Sequence, residues 1–103
     1  MADTRDEPNV EWHDKRRWRP SADVVHKNLG GDVVLVHLQT NSIYALNETG
    51  ARLWELLVEG RNRGEIRQRL LADFEVAEDE LELELDALVS SLRAKRLVVD
   101  VDE

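Results

Sequence analysis

The sequence has no cysteine. That excludes disulfides, thiolate metal sites and a cysteine nucleophile, and it fits a reducing compartment. Glycine is scarce, at five residues, and Gly30-Gly31 stands apart from the others. No dinucleotide or phosphate-cradling loop can be built from that pair alone. No apolar run approaches the roughly 18 residues that a membrane span requires. The N-terminus, MADTRDEPNVEW, is polar and holds no apolar signal-peptide core, so a cytoplasmic protein with no membrane partner is expected. Basic residues are also in the minority. Lys and Arg number 14 against 22 Asp and Glu, a net charge of −8. A protein that neutralises phosphates favours a basic surface, so nucleic acid is not an expected partner. His13, His26 and His37 are far apart, with no close metal-ligand spacing, and no Ser/His/Asp arrangement is evident. The expectation is a non-enzymatic chain without metal or cofactor.

What remains is one small domain of 103 residues with 42% apolar content. Residues 1–21 lack periodicity, mix both charges and hold both prolines together with Trp12 and Trp18. They read as a flexible or loosely docked arm. Its basic run, HDKRRWR, reads either as a solvated tail or as a contact arm for an acidic partner. Residues 22–103 form the domain proper.

Three short strands open that domain. Asp23 to Leu29 and Asp32 to Leu38 flank Gly30-Gly31, which accepts the positive φ of a tight hairpin turn. The second strand is nearly continuously apolar, as expected for burial on both faces or for a central position in the sheet. Ser42 to Leu46 is the third, with Ile43 and Ala45 on one face and Tyr44 and Leu46 on the other. Asn47 then caps a helix carrying Ala51, Leu53, Trp54, Leu57 and Val58 at helical spacing, stopped by Gly60. Asn62 with Glu65 forms a variant capping box for a second helix with Ile66, Leu70 and Leu71. A third helix begins near Glu78 and bears the stripe Leu81, Leu85, Leu88 and Leu92. Leu97-Val98-Val99 leaves it as an extended tail. The order β-β-β-α-α-α defines an α+β domain: a three-stranded antiparallel sheet followed by three helices, winged-helix-like in form.

Two further features have bland and sharp readings. The acid run Glu75 to Asp86 suits a helix N-terminus and a solvated face. If the second and third helices formed a helix-turn-helix, the acidic N-terminal part of the third would enter the groove and meet phosphate repulsion. Only Arg61, Arg63, Arg67 and Arg69 could offset it. Trp54 shares its apolar face with Leu57 and Val58 and is expected in the core. His26 and His37, in the first two strands, could be cross-strand neighbours.

The run from Ser42 to Val98 also resembles a known family. Tyr44-Ala45-Leu46-Asn47 leads into a helix, Trp54 sits in that helix, and Glu59-Gly60 ends it. A capped short helix and a Leu-striped third helix ending in Leu97-Val98 complete the likeness. These features are similar to the PqqD-like family of precursor-peptide recognition elements, over residues about 24 to 99. The resemblance implies a winged-helix-like domain that binds the leader of a ribosomally made precursor peptide. It then presents that peptide to a modifying enzyme such as a radical-SAM protein, a cyclase or a protease. It implies that the leader adds as a strand to Ser42, Ile43, Tyr44, Ala45 and Leu46, against the third helix. Leu85, Val89 and Leu92 would form the groove's apolar floor, and Asp86 and Arg93 would read charged leader side chains. On that basis Val89→Asp would weaken binding and spare the fold. The Ser42–Leu46 edge carries neither charge nor proline, the usual devices that blunt an open edge. Alternatives are a winged-helix DNA-binding regulator and a structural subunit dimerising through the same edge; a monomer or weak homodimer is expected. Two positions depart from the family pattern. Arg96 stands where a glycine usually closes the third helix, and Gly50 lies early in the first helix, where alanine is commoner.

Overall fold

The computed structural model describes residues 14–30 and 32–101. Eight elements follow one another: β1 (Trp18–Pro20), β2 (Val24–Leu29), β3 (Asp32–His37), β4 (Ser42–Leu46), α1 (Glu48–Val58), α2 (Arg63–Asp73), α3 (Glu78–Ala94) and β5 (Val98–Asp100). The three strands and three helices expected from the sequence form a small α+β domain. The antiparallel sheet has the order β2-β3-β4. The apolar second strand is the central one, and its two faces differ. Val33, Leu35 and His37 are buried, whereas Val34 and Val36 are half-buried on the outer face.

Capping chemistry sets the helix starts. Asn47 accepts from the Gly50 N–H at 2.9 Å, so the chain turns from strand to helix within one residue. Asn62 and Glu65 complete both bonds of a capping box. Helix α3 has no side-chain cap, and Glu78, Asp79 and Glu80 instead place negative charge in its first turn. Gly50 is explained by proximity. A Cβ there would meet Leu46 Cδ2 at 3.2 Å and Leu46 Cβ at 3.3 Å, so the β4–α1 junction closes tightly around it.

Helices α1 and α3 end alike. Gly60 (φ 87) follows α1, with Gly60 N–H donating to Leu57 O and Arg61 N–H to Leu56 O. Arg96 (φ 60) follows α3, with Arg96 N–H donating to Arg93 O and Leu97 N–H to Leu92 O. Both are Schellman closures through a left-handed residue. Arg96 adopts the conformation glycine would have taken, because Leu97 and Val98 beyond it are held in the core.

The arm expected over residues 1–21 needs correcting for its last part. Trp18 is buried, and β1 pairs antiparallel with β5 in a second, two-stranded sheet. Ser21 N–H donates to Leu97 O, Val101 N–H to Arg17 O, and Arg63 N–H to Arg16 O. Residues 14–21 are therefore built into the domain; residues 1–13 lie outside the described part. The pairing joins opposite ends of the chain, so no local periodicity announces it.

The core lies between one sheet face and the helices. It centres on Leu35, Leu53, Trp54, Ile66, Leu85 and Leu92, all at most 2% exposed. Each such side chain contributes about 1.5–3 kcal/mol of burial. No helix among the described residues is long and apolar enough to cross a membrane.

Candidate functional site

Strand β4 is bonded on one side only. Its register with β3 runs from Val33↔Leu46 to His37↔Ser42, and no other strand pairs with it among the described residues. Main-chain groups of successive residues in an antiparallel strand point to opposite sides. Leu38 N–H donates to Asp23 O at 2.8 Å, which fixes the phase of β3. Val36 and Val34 bond towards β2, while His37, Leu35 and Val33 bond towards β4. On β4, Ser42, Tyr44 and Leu46 thus turn their main chain inward. Ile43 and Ala45 turn N–H and C=O outward, an unfilled template for another strand.

The side chains of β4 divide between two surfaces. Leu46 is buried and Tyr44 half-buried on the helix side. Ile43, 71% exposed, shares the outer face with half-buried Val36 and with Val25. Ser42 binds Thr40 in the preceding turn. Helix α3 reaches β4 through its C-terminal end, where the Lys95 ammonium lies 5.7 Å from the centre of the Tyr44 ring.

That contact identifies which flank of α3 faces β4. Residues on a helix meet neighbours three and four apart, so Leu88, Ser91 and Lys95 lie together on the β4 side. Asp86, Val89 and Arg93 lie together on the other side. Asp86 accepts from Arg63 at 3.1 and 3.2 Å, and Arg93 donates to Asp100 at 3.1 Å. Both charges expected to read a peptide already hold partners within the domain. Leu85 and Leu92 belong to the core and Val89 is 6% exposed, so all three are buried in the domain interior. An aspartate at Val89 would be buried, which overturns the expectation that Val89→Asp spares the fold. The physical reason is the width of the apolar stripe: α3 packs through both Leu85 and Val89, leaving Leu88 at the margin.

Arg63 has a role that the sequence reading did not assign. Its side chain is 2% exposed, and it donates to Asp14, Glu82 and Asp86 at 3.0, 2.7 and 3.1 Å. Burial opposes its charge, but the hydrogen bonds it donates to Glu82 and Asp86 outweigh that, holding its pKa above the usual arginine value. Arg67 pairs with Glu78 and Glu82, and Arg61 with Glu59. Three of the four arginines that might have offset the acidic helix are thus engaged. One signal was available: a run of acids spaced three and four apart on α3 opposite an arginine-rich α2.

The two strand histidines share a face but sit diagonally, His26 opposite Leu35 and His37 opposite Val24. His37 is buried, and His26 meets Trp54 edge-on at 6.3 Å between ring centres. Trp54 is itself a core residue. Among the described residues no group of three or more His, Asp or Glu is placed to hold a metal ion.

Comparison with known proteins converges on this architecture. A solved structure of TbiB1 in complex with the TbiA(beta) leader peptide matches with a TM-score of 0.76 and 32% identity, over 82% of this chain and 99% of the other. A lasso peptide synthetase B1 complexed with the leader peptide shares the fold, with a TM-score of 0.74 and 23% identity, over 81% and 98% of the respective chains. No curated protein matches the sequence. The family model for coenzyme PQQ synthesis protein D matches residues 32–98, from the central strand to the final strand. This chain belongs to the PqqD family.

Proposed function

We propose that the chain is a non-catalytic peptide-binding domain that captures the leader of a ribosomally made precursor peptide and presents it to a modifying enzyme. The leader docks as a fourth strand on β4. Main-chain hydrogen bonds at Ile43 and Ala45 supply affinity, and alternating side chains supply selectivity. The single observation that carries this reading is the edge of β4, uncharged, proline-free and without a second partner strand among the described residues, beside Lys95 at the C-terminal end of α3. Leader-bound TbiB1, at 32% identity, supports the same occupant.

On this reading Ser42 to Leu46 contribute mainly backbone, and Leu85, Val89 and Leu92 hold the groove's shape from within the core. Asp86 and Arg93, about half exposed, meet leader charges in competition with Arg63 and Asp100. The domain works as a monomer, because a second copy on β4 would occupy the docking edge. A cytoplasmic setting accords with the cysteine-free chain. The partner enzyme belongs to peptide modification: a radical-SAM protein, a cyclase or a protease.

The test uses a synthetic leader from a short precursor reading frame adjoining the gene. Proline is tolerated on an edge strand where its missing N–H faces solvent, so Ala45→Pro keeps the β3–β4 ladder and blocks the outer one. Titration calorimetry should show binding to the wild type and none to Ala45→Pro, with the far-UV circular dichroism unchanged. Equal affinity in the folded variant overturns strand addition at β4.

A further inference from the structure

We propose that Lys95 makes the β4 edge selective for extended peptides carrying an acidic side chain on the face turned towards α3. This inference rests on the strand-addition reading and deepens it by naming the class of peptide.

The argument starts from the geometry of an added strand. Its side chains alternate between the two sheet faces. One set continues the outer surface of Ile43, Ala45 and Val36, which is apolar. The other set continues the row His26, Leu35 and Tyr44. A side chain placed beside Tyr44 would have its Cβ about 4.5–5.5 Å from that of the tyrosine. The Lys95 ammonium lies 5.7 Å from the Tyr44 ring centre, at the end of a four-carbon stem. It therefore reaches the same position.

The charge on Lys95 is available. Its contact among the described residues is the Tyr44 ring, with no ion pair. Arg63, Arg67 and Arg93, the arginines that touch or belong to α3, all hold carboxylates. Strand β4 itself carries no charge. A docking peptide removes water from Lys95. An apolar residue there would leave the ammonium less solvated without a partner, and a lysine or arginine would be repelled. Aspartate or glutamate satisfies it. Glu84 shares this flank but lies about three helical turns nearer the N-terminus of α3, so the acid preference is local to the Tyr44 end.

The test is a selection from a displayed library of random 12-residue peptides, run on the full chain as wild type, Lys95→Glu and Ala45→Pro. The wild type should enrich Asp or Glu at one fixed position of an otherwise apolar, alternating motif. Lys95→Glu should replace that acid by Lys or Arg at the same position, and Ala45→Pro should enrich neither motif. For an acid-bearing peptide taken from the wild-type pool, Lys95→Glu should weaken binding about tenfold, the scale of a partly screened pair turned into a repulsion. The same peptide with its acid changed to lysine should regain affinity for Lys95→Glu. A wild-type motif without acid preference, lost in Ala45→Pro, overturns the role of Lys95 and leaves strand addition standing. A motif recovered equally by Ala45→Pro overturns strand addition, and the Lys95 inference with it. A wild type that enriches no motif counts against both.

Discussion

The two flanks of α3 belong to one helix and do opposite things. On one, Glu82 and Asp86 close around buried Arg63, which also holds Asp14 from the start of the described chain. That flank welds α2, α3 and the N-terminal segment together. On the other, Leu88 is half-buried against the core and exposed Lys95 lies over the Tyr44 ring of β4. Charge is consumed structurally on the first side and left available on the second. An acidic helix is thus not one uniform surface: the carboxylates opposite an arginine are part of the architecture, whereas Lys95 at the far end of the helix meets an aromatic ring instead of a carboxylate among the described residues.

Substitutions can break or sharpen this contrast. The largest effect is expected at Val89, buried beside the flank that carries Asp86 and Arg93. Val89→Asp buries a carboxylate among apolar neighbours and should cost about 4 kcal/mol or more, enough to unfold much of a small domain. Circular dichroism melting would show it; a native-like melt would return Val89 to the groove. Next comes the sealed flank. Arg63→Met should cost about 2–4 kcal/mol, below the 3–5 kcal/mol for breaking a fully buried pair. The discount is due because Asp14, Glu82 and Asp86 keep 33%, 35% and 51% of their side-chain surface in water. A fall in Tm of 10 °C or more by about 4–8 °C per kcal/mol would register it, and an unchanged Tm would mean the hub is dispensable. On the open flank, Ala45→Pro should alter stability by less than about 1 kcal/mol while eliminating peptide binding, the reverse signature of Arg63→Met. The smallest effect is expected at the α3 end. Arg96→Gly relieves a left-handed non-glycine residue and should stabilise the fold by about 0.5–1 kcal/mol, part of the 1–2 kcal/mol steric cost being offset by unfolded-state entropy. Chemical denaturation should resolve that gain, and a loss of stability would mean the Arg96 side chain contributes more than its backbone costs.

Much of this was legible in the sequence because it is local. Asn47, Asn62 with Glu65, Gly60 and the Leu stripe of α3 each fix a helix boundary or face through bonds and contacts within a few residues. The hairpin at Gly30 and the meander that leaves β4 outermost follow from short links. The resemblance over Tyr44 to Val98 anticipated the family. Residues 14–21 were misjudged because β1 meets β5 across nearly the whole chain, and a buried tryptophan among charges has no period to reveal it.

The sequence by itself therefore determined the order of the β2-β3-β4 meander and the three helices, the Asn47 and Asn62 caps and the uncharged β4 strand, since propensity, capping and alternation act at short range. Only the tertiary structure decided which way α3 is rotated. That rotation depends on the packing of Leu85 and Val89 into the core and on Arg63 drawing Glu82 and Asp86 towards α2. It turned Asp86 and Arg93 towards partners within the domain, and it set Lys95 over Tyr44 at the open edge.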